Sequence, residues 1–388
     1  MNTYSSEKML EAIRNEGLDG WLFYNFHHRD SLADDILGLE VGTTNSRPWL
    51  YVVTKDREPV KIVHSIEEHI LDTLPGEIFV YSGKEAFQRA VKQFSGKILA
   101  AHMDENLPVI SFMDAGTAQN LIKQGIRLVS AASLIQRLKG LLSEEDMDSH
   151  NRAAIGLYEI VEIVWNRTSE HFYNSQPLYE GDLQALILEE MNNRNLITDH
   201  PPIVASGAHA GDPHYETVGK GSMIRQGELI QFDLWAKESG KRAIYADISW
   251  VGFYGRAIPH HVDTLFHDLV DSRELAIEFI TAELKQNQRP SGASIDREVR
   301  NFLISKGYGP ALKHRTGHGI DTECHGSGVN IDSIEFPDER LILDGSCFSI
   351  EPGIYFDEFG FRTEIDIYIR QNQVCISGKE RQFSLLVP

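Results

Sequence analysis

The stretch FSIEPGIYFDEFGFRTEID, residues 348–366, decides how the rest of the chain is read. Two short strands, joined by a hairpin loop at Asp357-Glu358-Phe359-Gly360, each deliver a carboxylate, Glu351 on the first and Glu364 on the second. Alternation with period two sets Phe361, Thr363, Ile365 and Ile367 on one face and Arg362, Glu364 and Asp366 on the other, so an apolar face backs an acidic one. Carboxylates on neighbouring strands repel by roughly 3 kcal/mol at ~5 Å and an effective dielectric of about 20. Something positive is expected between them.

The pattern occurs a second time. Leu229 to Trp235 and Ala243 to Phe253 read as a hairpin turning at Glu238-Ser239-Gly240-Lys241, and an aspartate interrupts each apolar strand, Asp233 between Phe232 and Leu234 and Asp247 between Ala246 and Ile248. Such an acid is poorly tolerated unless it is paired or bound. One histidine, His318, lies between glycines in Thr316-Gly317-His318-Gly319, where missing side chains let backbone approach a ligand. Four carboxylates and one imidazole suit two divalent metals, whose +4 offsets the −4 of the acids. Oxygen-rich ligation favours Mn²⁺, with Fe²⁺ or Co²⁺ next, over the cysteine- and histidine-rich surroundings of a structural Zn²⁺. In such a pair a bridging water becomes hydroxide near neutral pH and attacks a carbonyl held by the same ions, which implies amide hydrolysis.

With 388 residues, 41% hydrophobic and 24% charged, the chain has room for two or three domains of ordinary globular composition. A net charge of −20 argues against a nucleic-acid partner, and no apolar run approaches the ~18 residues of a membrane span. The polar start MNTYSSEKMLEAIRNEG and three cysteines without metal-type spacing (Cys324, Cys347, Cys375) lead to the expectation of reduced thiols and a cytoplasmic setting.

The organisation expected is α/β (α+β) in two domains, 1–140 and 141–388. In the first, an amphipathic helix from Ser5 to Glu16 precedes a buried strand at 18–24, a hairpin at 49–63, and alternating strands (78–81, 98–101, 127–129) and helices (84–94, 114–124). Its only candidate chemistry is His27-His28 beside Arg29, read as a solvated loop. Ser143-Glu144-Glu145-Asp146 is a helix start, opening a long helix to about Tyr173. A helix near 183–195 leads to a glycine-rich loop at 205–214 that carries His209 and His214. Helices at 263–285 and 295–306 present apolar stripes to a core.

In order and context, Asp233, Asp247, His318, Glu351 and Glu364 resemble the metal set of the pita-bread metallopeptidases, the family of methionine aminopeptidase, aminopeptidase P, prolidase and creatinase. The likeness extends to Asp212-Pro213-His214-Tyr215, to His314 and His325 on either side of His318, to Glu351-Pro352-Gly353 and to Arg362-Thr363-Glu364. It is strong over 145–388. The first 140 residues resemble, less specifically, the smaller mixed α/β N-terminal domain of creatinase, prolidase and aminopeptidase P. The resemblance implies a curved antiparallel sheet flanked by helices, with Asp233 on one metal, His318 and Glu351 on the other, and Asp247 and Glu364 bridging.

It further implies that Glu351 acts as general base, that His214 and His314 hold substrate and stabilise the charge on the scissile carbonyl, and that His325 contacts substrate near the leaving side. Arg362 and Ser249 would orient the ligands. The chain departs from the pattern at Asp233-Leu234-Trp235 and Asp247-Ile248-Ser249-Trp250, where relatives carry smaller residues or Thr-Arg-Thr, and the two tryptophans are expected to reshape the pocket. Cys324, next to His325, is expected near the site but as an incidental thiol sensitive to oxidation, and His209, His260 and His261 read as structural. The function implied is hydrolysis of an Xaa-Pro bond at the N-terminus of a small peptide, of aminopeptidase P or prolidase type, by a homodimer. The alternatives are a metal-dependent hydrolase of a small C–N compound and a non-catalytic binding module on the same fold.

Overall fold

The computed structural model describes residues 6–40, 42–240 and 242–388. Ser5 and Lys241, both expected at element boundaries, lie outside them. The chain divides into two compact units, Met1–Lys139 and Gly140–Pro388.

The first unit runs α1 (Ser6–Asn15), β1 (Gly20–Asn25), α2 (Ser31–Leu37), β2 (Trp49–Thr54), β3 (Arg57–His64), β4 (Glu77–Tyr81), α3 (Lys84–Lys92), β5 (Ile98–Ala101), α4 (Ala115–Lys123), β6 (Arg127–Ser130) and α5 (Ala132–Leu138). One mixed sheet, ordered β4-β3-β2-β1-β5-β6, spans it. Strand β1 is buried throughout because both faces are covered. Trp21 and Phe23 join a cluster with Ile13, Ile36 and Ile135, while Leu22 and Tyr24 join one with Val91 and Leu121. His28 is not solvated as expected: it is half-buried, with φ +51°, and its ring nitrogens lie 2.8 Å from Asp34 Oδ2 and 2.8 Å from the Thr43 carbonyl.

The second unit runs α6 (Glu144–Tyr173), α7 (Glu180–Asn193), β7 (Leu196–Ile197), β8 (Ile203–Ser206), β9 (Leu229–Glu238), β10 (Ala246–Phe253), α8 (His260–Lys285), α9 (Gly292–Ser305), β11 (Cys347–Ile350), β12 (Gly353–Tyr355), β13 (Gly360–Arg362), β14 (Ile365–Arg370) and β15 (Gln373–Ile376). Helix α6 opens with a capping box in which the Ser143 hydroxyl accepts from the Asp146 amide and the Asp146 carboxylate accepts from the Ser143 amide. Strand β9 pairs with β10, β7 and β8, β14 lies between β11 and β15, and β12 pairs with β13. A bridge between Ser249 and Glu364 joins β10 to the later hairpin.

Two apolar clusters flank these strands. Phe232, Leu234 and Ile248 pack with Leu157, Val161 and Val164 of α6. Phe348, Ile350, Phe361, Ile365 and Ile367 pack with Phe266 and Leu269 of α8. Strand alternation therefore turns Asp233, Asp247, Ser249, Ser349 and Arg362 away from both clusters. The polar residues of the two hairpins face a common space.

Candidate metal centre

Glu351 and Glu364 occupy breaks in the hairpin rather than the strands themselves. Glu351 falls between β11 and β12, and Glu364 between β13 and β14. The register is the same on both sides of the break, with Ile350 opposite Ile365 and Gly353 opposite Arg362, so the two acids stand across from each other. Pro352 has no N–H to give the ladder. The amides of the acids turn elsewhere: Glu351 N–H donates to the Thr316 carbonyl at 2.7 Å and Glu364 N–H to the Ser249 carbonyl at 3.2 Å. One bond ties the hairpin to the loop carrying His318, the other to β10.

The glycines beside His318 serve backbone packing. A Cβ on Gly317 would lie 2.0 Å from the Ser349 carbonyl oxygen, and one on Gly319 would lie 2.6 Å from the Gly328 carbonyl carbon. The loop can lie against β11 only without side chains there, and the Ser349 hydroxyl accepts from the His318 amide at 3.1 Å. His318 Nε2 consequently sits 3.5 Å from both Asp247 Oδ2 and Glu351 Oε1.

Asp233, Asp247, His318, Glu351 and Glu364 are all buried and line one cavity of ≈ 390 Å³. Donor atoms of Asp233, Asp247 and Glu364 lie within 4.8 Å of one another, as do those of His318, Glu351 and Glu364. The expected positive charge is Arg362. Its guanidinium contacts Asp233, lies 3.8 Å from both Glu351 and Glu364, and donates from Nε to the Ser249 hydroxyl at 3.0 Å. Ser249 Oγ is 2.7 Å from Asp233 and 2.8 Å from Glu364, so it lies between these two acids rather than beside Asp247.

One arginine does not balance four acids. Burial first, then the Asp233 charge, pushes the Asp247 carboxyl well above the ordinary range, and burial with the Asp247 charge does the same to Glu364. Glu351 goes the other way: burial acts against its ionisation, but His318, His314 and Arg362 outweigh that and hold it low. Asp247 Oδ1 and Glu364 Oε1 are buried without a hydrogen-bond partner among the described residues. Unsatisfied buried acceptors of this kind, in a cluster of oxygen donors with one imidazole, fit divalent cations.

The three other histidines are placed differently. His214 and His325 line the cavity, and the His325 ring lies 4.3 Å from that of His318, which together with desolvation lowers its pKa. His314 is not brought to the cavity wall. Its Nδ1 must carry the proton, because it sits 2.6 Å from the Arg315 carbonyl, which only accepts. Nε2 then accepts from the Tyr355 hydroxyl at 2.8 Å, and that oxygen accepts from Arg362 Nη1 at 3.2 Å. His314 therefore braces Arg362 through Tyr355. Of the two tryptophans, Trp235 lines the cavity and donates to Asp199 Oδ1 at 2.8 Å, whereas Trp250 packs against Tyr158 away from it.

Three contributors escape the motif reading. Tyr355 shares its strand face with Glu351, which period-two alternation could have revealed. Cys324 is buried, and its thiol donates to Asp247 Oδ2 at 3.0 Å, so it is not incidental to the site. Glu180, at the first turn of α7, has no signal in the sequence. Fully buried, it accepts from the Ser206 amide and hydroxyl (2.8 and 2.9 Å), His209 Nδ1 (2.9 Å), the Tyr215 hydroxyl (2.9 Å) and the Ser222 amide (2.7 Å), and so holds the loop that carries His214. Glu180→Gln replaces an acceptor with a donor facing donors. It is expected to cost about 1–3 kcal/mol, read as a lowered melting temperature together with a raised KM, while metal content stays unchanged.

Comparison with known proteins gives the family. Residues 156–371, more than half the chain, match the model of metallopeptidase family M24, and the chain belongs to that family. It is 30% identical over 172 residues to YqhT, an uncharacterized peptidase of Bacillus subtilis (strain 168), with 44% of each protein covered. It is 28% identical over 204 residues to the Xaa-Pro dipeptidase of Lactobacillus delbrueckii subsp. lactis, with 52% of this chain and 49% of that one covered. The matched region spans about half the length of these curated relatives. The crystal structure of dipeptidase PepE from Mycobacterium ulcerans superposes with a TM-score of 0.72 at 20% identity, covering 98% of this chain and 96% of that one. The fold is thus the mixed α/β pita-bread arrangement with an N-terminal domain, as expected. Among the described residues no helix is long and apolar enough to cross a membrane.

Proposed function

We propose that the chain is a dinuclear metal-dependent peptidase that hydrolyses the Xaa-Pro bond at the N-terminus of small peptides, of the prolidase or aminopeptidase P type. The observation that carries this reading is the convergence of five buried ligand residues on one cavity, with two of their carboxylate oxygens left without a hydrogen-bond partner among the described residues. Asp233, Asp247 and Glu364 would hold one divalent ion. His318 and Glu351 would hold the second and share Asp247 and Glu364 with the first. The oxygen-rich set favours Mn²⁺ overall. When bound, the ions supply Lewis acidity to the scissile carbonyl and acidify water.

The remaining work falls to side chains. Glu351, kept ionised by its neighbours, takes the proton of the attacking water and returns it to the departing amine. An Xaa-Pro bond leaves as the secondary amine of proline, which needs that proton. Arg362, braced by Tyr355 and His314, holds Asp233 in place and offsets the charge of Glu364. His214 and His325, on the cavity wall, bind the peptide. Proline is selected because its nitrogen brings no N–H to be satisfied in the bound state. The three free thiols suit a reducing cytoplasm, and the homodimer implied by the resemblance is part of the same reading.

The test is product analysis by mass spectrometry after Mn²⁺ loading, with an Xaa-Pro dipeptide, an Xaa-Pro-Yaa tripeptide and a Met-Ala-Yaa tripeptide side by side. Cleavage of the dipeptide alone means prolidase, and cleavage of the Xaa-Pro tripeptide means aminopeptidase P. Absence of cleavage with two metals bound refutes the peptidase reading and favours a small C–N substrate. The wall formed by Trp235 and Asp199 is the feature that would narrow the cavity for it.

A further inference from the structure

The two ends of the ligand cluster differ in donor chemistry. At one end, Asp233, Asp247 and Glu364 offer only oxygen. At the other, donor atoms of Asp247, His318 and Cys324 lie within 4.8 Å of one another, one oxygen, one nitrogen and one sulfur. Cys324 belongs to an apolar cluster with Ile320 and Tyr245, which fixes its side chain, yet its sulfur is not turned into that cluster. It points at Asp247 Oδ2, 3.0 Å away, beside His318 Nε2 at 3.5 Å from the same oxygen. Asp247 is only 6% exposed, and its other oxygen has no partner among the described residues.

We infer that Cys324 is a metal ligand, which makes the His318 end of the centre a soft position for Zn²⁺ or Co²⁺ and leaves the all-carboxylate end to a hard ion such as Mn²⁺. This inference rests on the dinuclear reading above. Thiolate and imidazole select borderline-soft ions, while carboxylates alone do not, so the same site would carry two metals of different kind. On binding, the Sγ–H bond breaks, its proton passes to solvent, and the freed sulfur lone pair forms the bond to the ion without change of oxidation state. Asp247 Oδ2 no longer accepts the S–H and becomes free to coordinate.

The experiment uses Co²⁺ alone as probe. Metal-stripped full-length protein is titrated with Co²⁺ and followed by absorption, with metal content measured, for the wild type, Cys324→Ser and Cys324→Val. Cys347 and Cys375 remain in all three, and valine keeps the apolar packing if serine fails to fold. The expected result is a near-ultraviolet sulfur-to-cobalt charge-transfer band in the wild type that both variants lose. Chelator competition should show Zn²⁺ affinity reduced about tenfold or more in Cys324→Val, on the scale of even an outer-shell loss, and Mn²⁺ affinity changed less. Two Co²⁺ bound by the wild type with no such band, or a band that survives in either variant, overturns the inference alone. Failure of the wild type to take up Co²⁺ overturns it together with the dinuclear reading.

Discussion

Asp247→Ala is expected to lose both metals and, with them, activity by on the order of 10³-fold or more, since each bound ion supplies several kcal/mol of transition-state stabilisation. The expectation follows from position: Asp247 contributes donor atoms both to the group with Asp233 and Glu364 and to the group with His318. Its backbone role survives the change, because it is the amide of residue 247 that donates to Asp366 Oδ2 at 2.7 Å. Metal content by atomic emission and turnover on the cleaved peptide check the result, and full activity would refute the site. A second readout separates a metal ligand from a structural acid. The Asp247 carboxyl is raised in the fold, so the native state binds its proton more tightly than the unfolded chain does. That contribution is present below the ordinary value of about 3.9 and is lost as pH rises towards the raised one. Metal-free wild type should therefore melt at lower temperature as pH rises above about 5, and Asp247→Ala should flatten this slope rather than lower the whole curve.

Much of this site could be read from the chain because its geometry follows strand parity. Once Phe361, Ile365 and Ile367 face a core, Arg362 and Glu364 must face away from it, and the same holds for Asp233 and Asp247 against Phe232, Leu234 and Ile248. A period of two cannot show where a ladder stops. The break that frees Glu351 and Glu364 depends on Pro352 together with acceptors on Thr316 and Ser249, residues far away in sequence. The glycines around His318 marked a close approach, and the partners that approach are Ser349 of β11 at Gly317 and the Gly328 backbone at Gly319. Cys324 and His314 escaped for a related reason. Both lie in loops, where no period predicts side-chain direction, and only the fold turns one thiol towards Asp247 and one imidazole towards Tyr355. Glu180 collects donors from three separated stretches, 206–209, 215 and 222, and nothing local announces it.

Glu351→Gln is expected to lower kcat by about 10²–10⁴-fold, the usual range for a positioned general base, while retaining much of its metal. The amide keeps the shape of the side chain and one oxygen for ligation, but it cannot accept the proton of the attacking water or deliver it to the proline nitrogen. Metal is expected to stay because the backbone of each remaining ligand is held without the residue 351 side chain: His318 by the Ser349 amide, which donates to its carbonyl at 2.9 Å, Glu364 by the Ser249 carbonyl, and Asp247 by Asp366. Loss of the charge also acts on the neighbouring acids. Removing one negative charge from the group relieves repulsion on Glu364 and Asp247, both of which Glu351 pushes towards protonation. Because Glu351 is itself held low by its neighbours, metal-free Glu351→Gln should melt below the wild type near neutral pH, and turnover is compared at a temperature where both remain folded. Wild-type rates in this variant would place the base elsewhere, and complete loss of metal would make Glu351 a ligand first. Low kcat at near-normal metal content, with the acidic limb of the pH–rate profile removed, is the outcome that assigns proton transfer to this carboxylate.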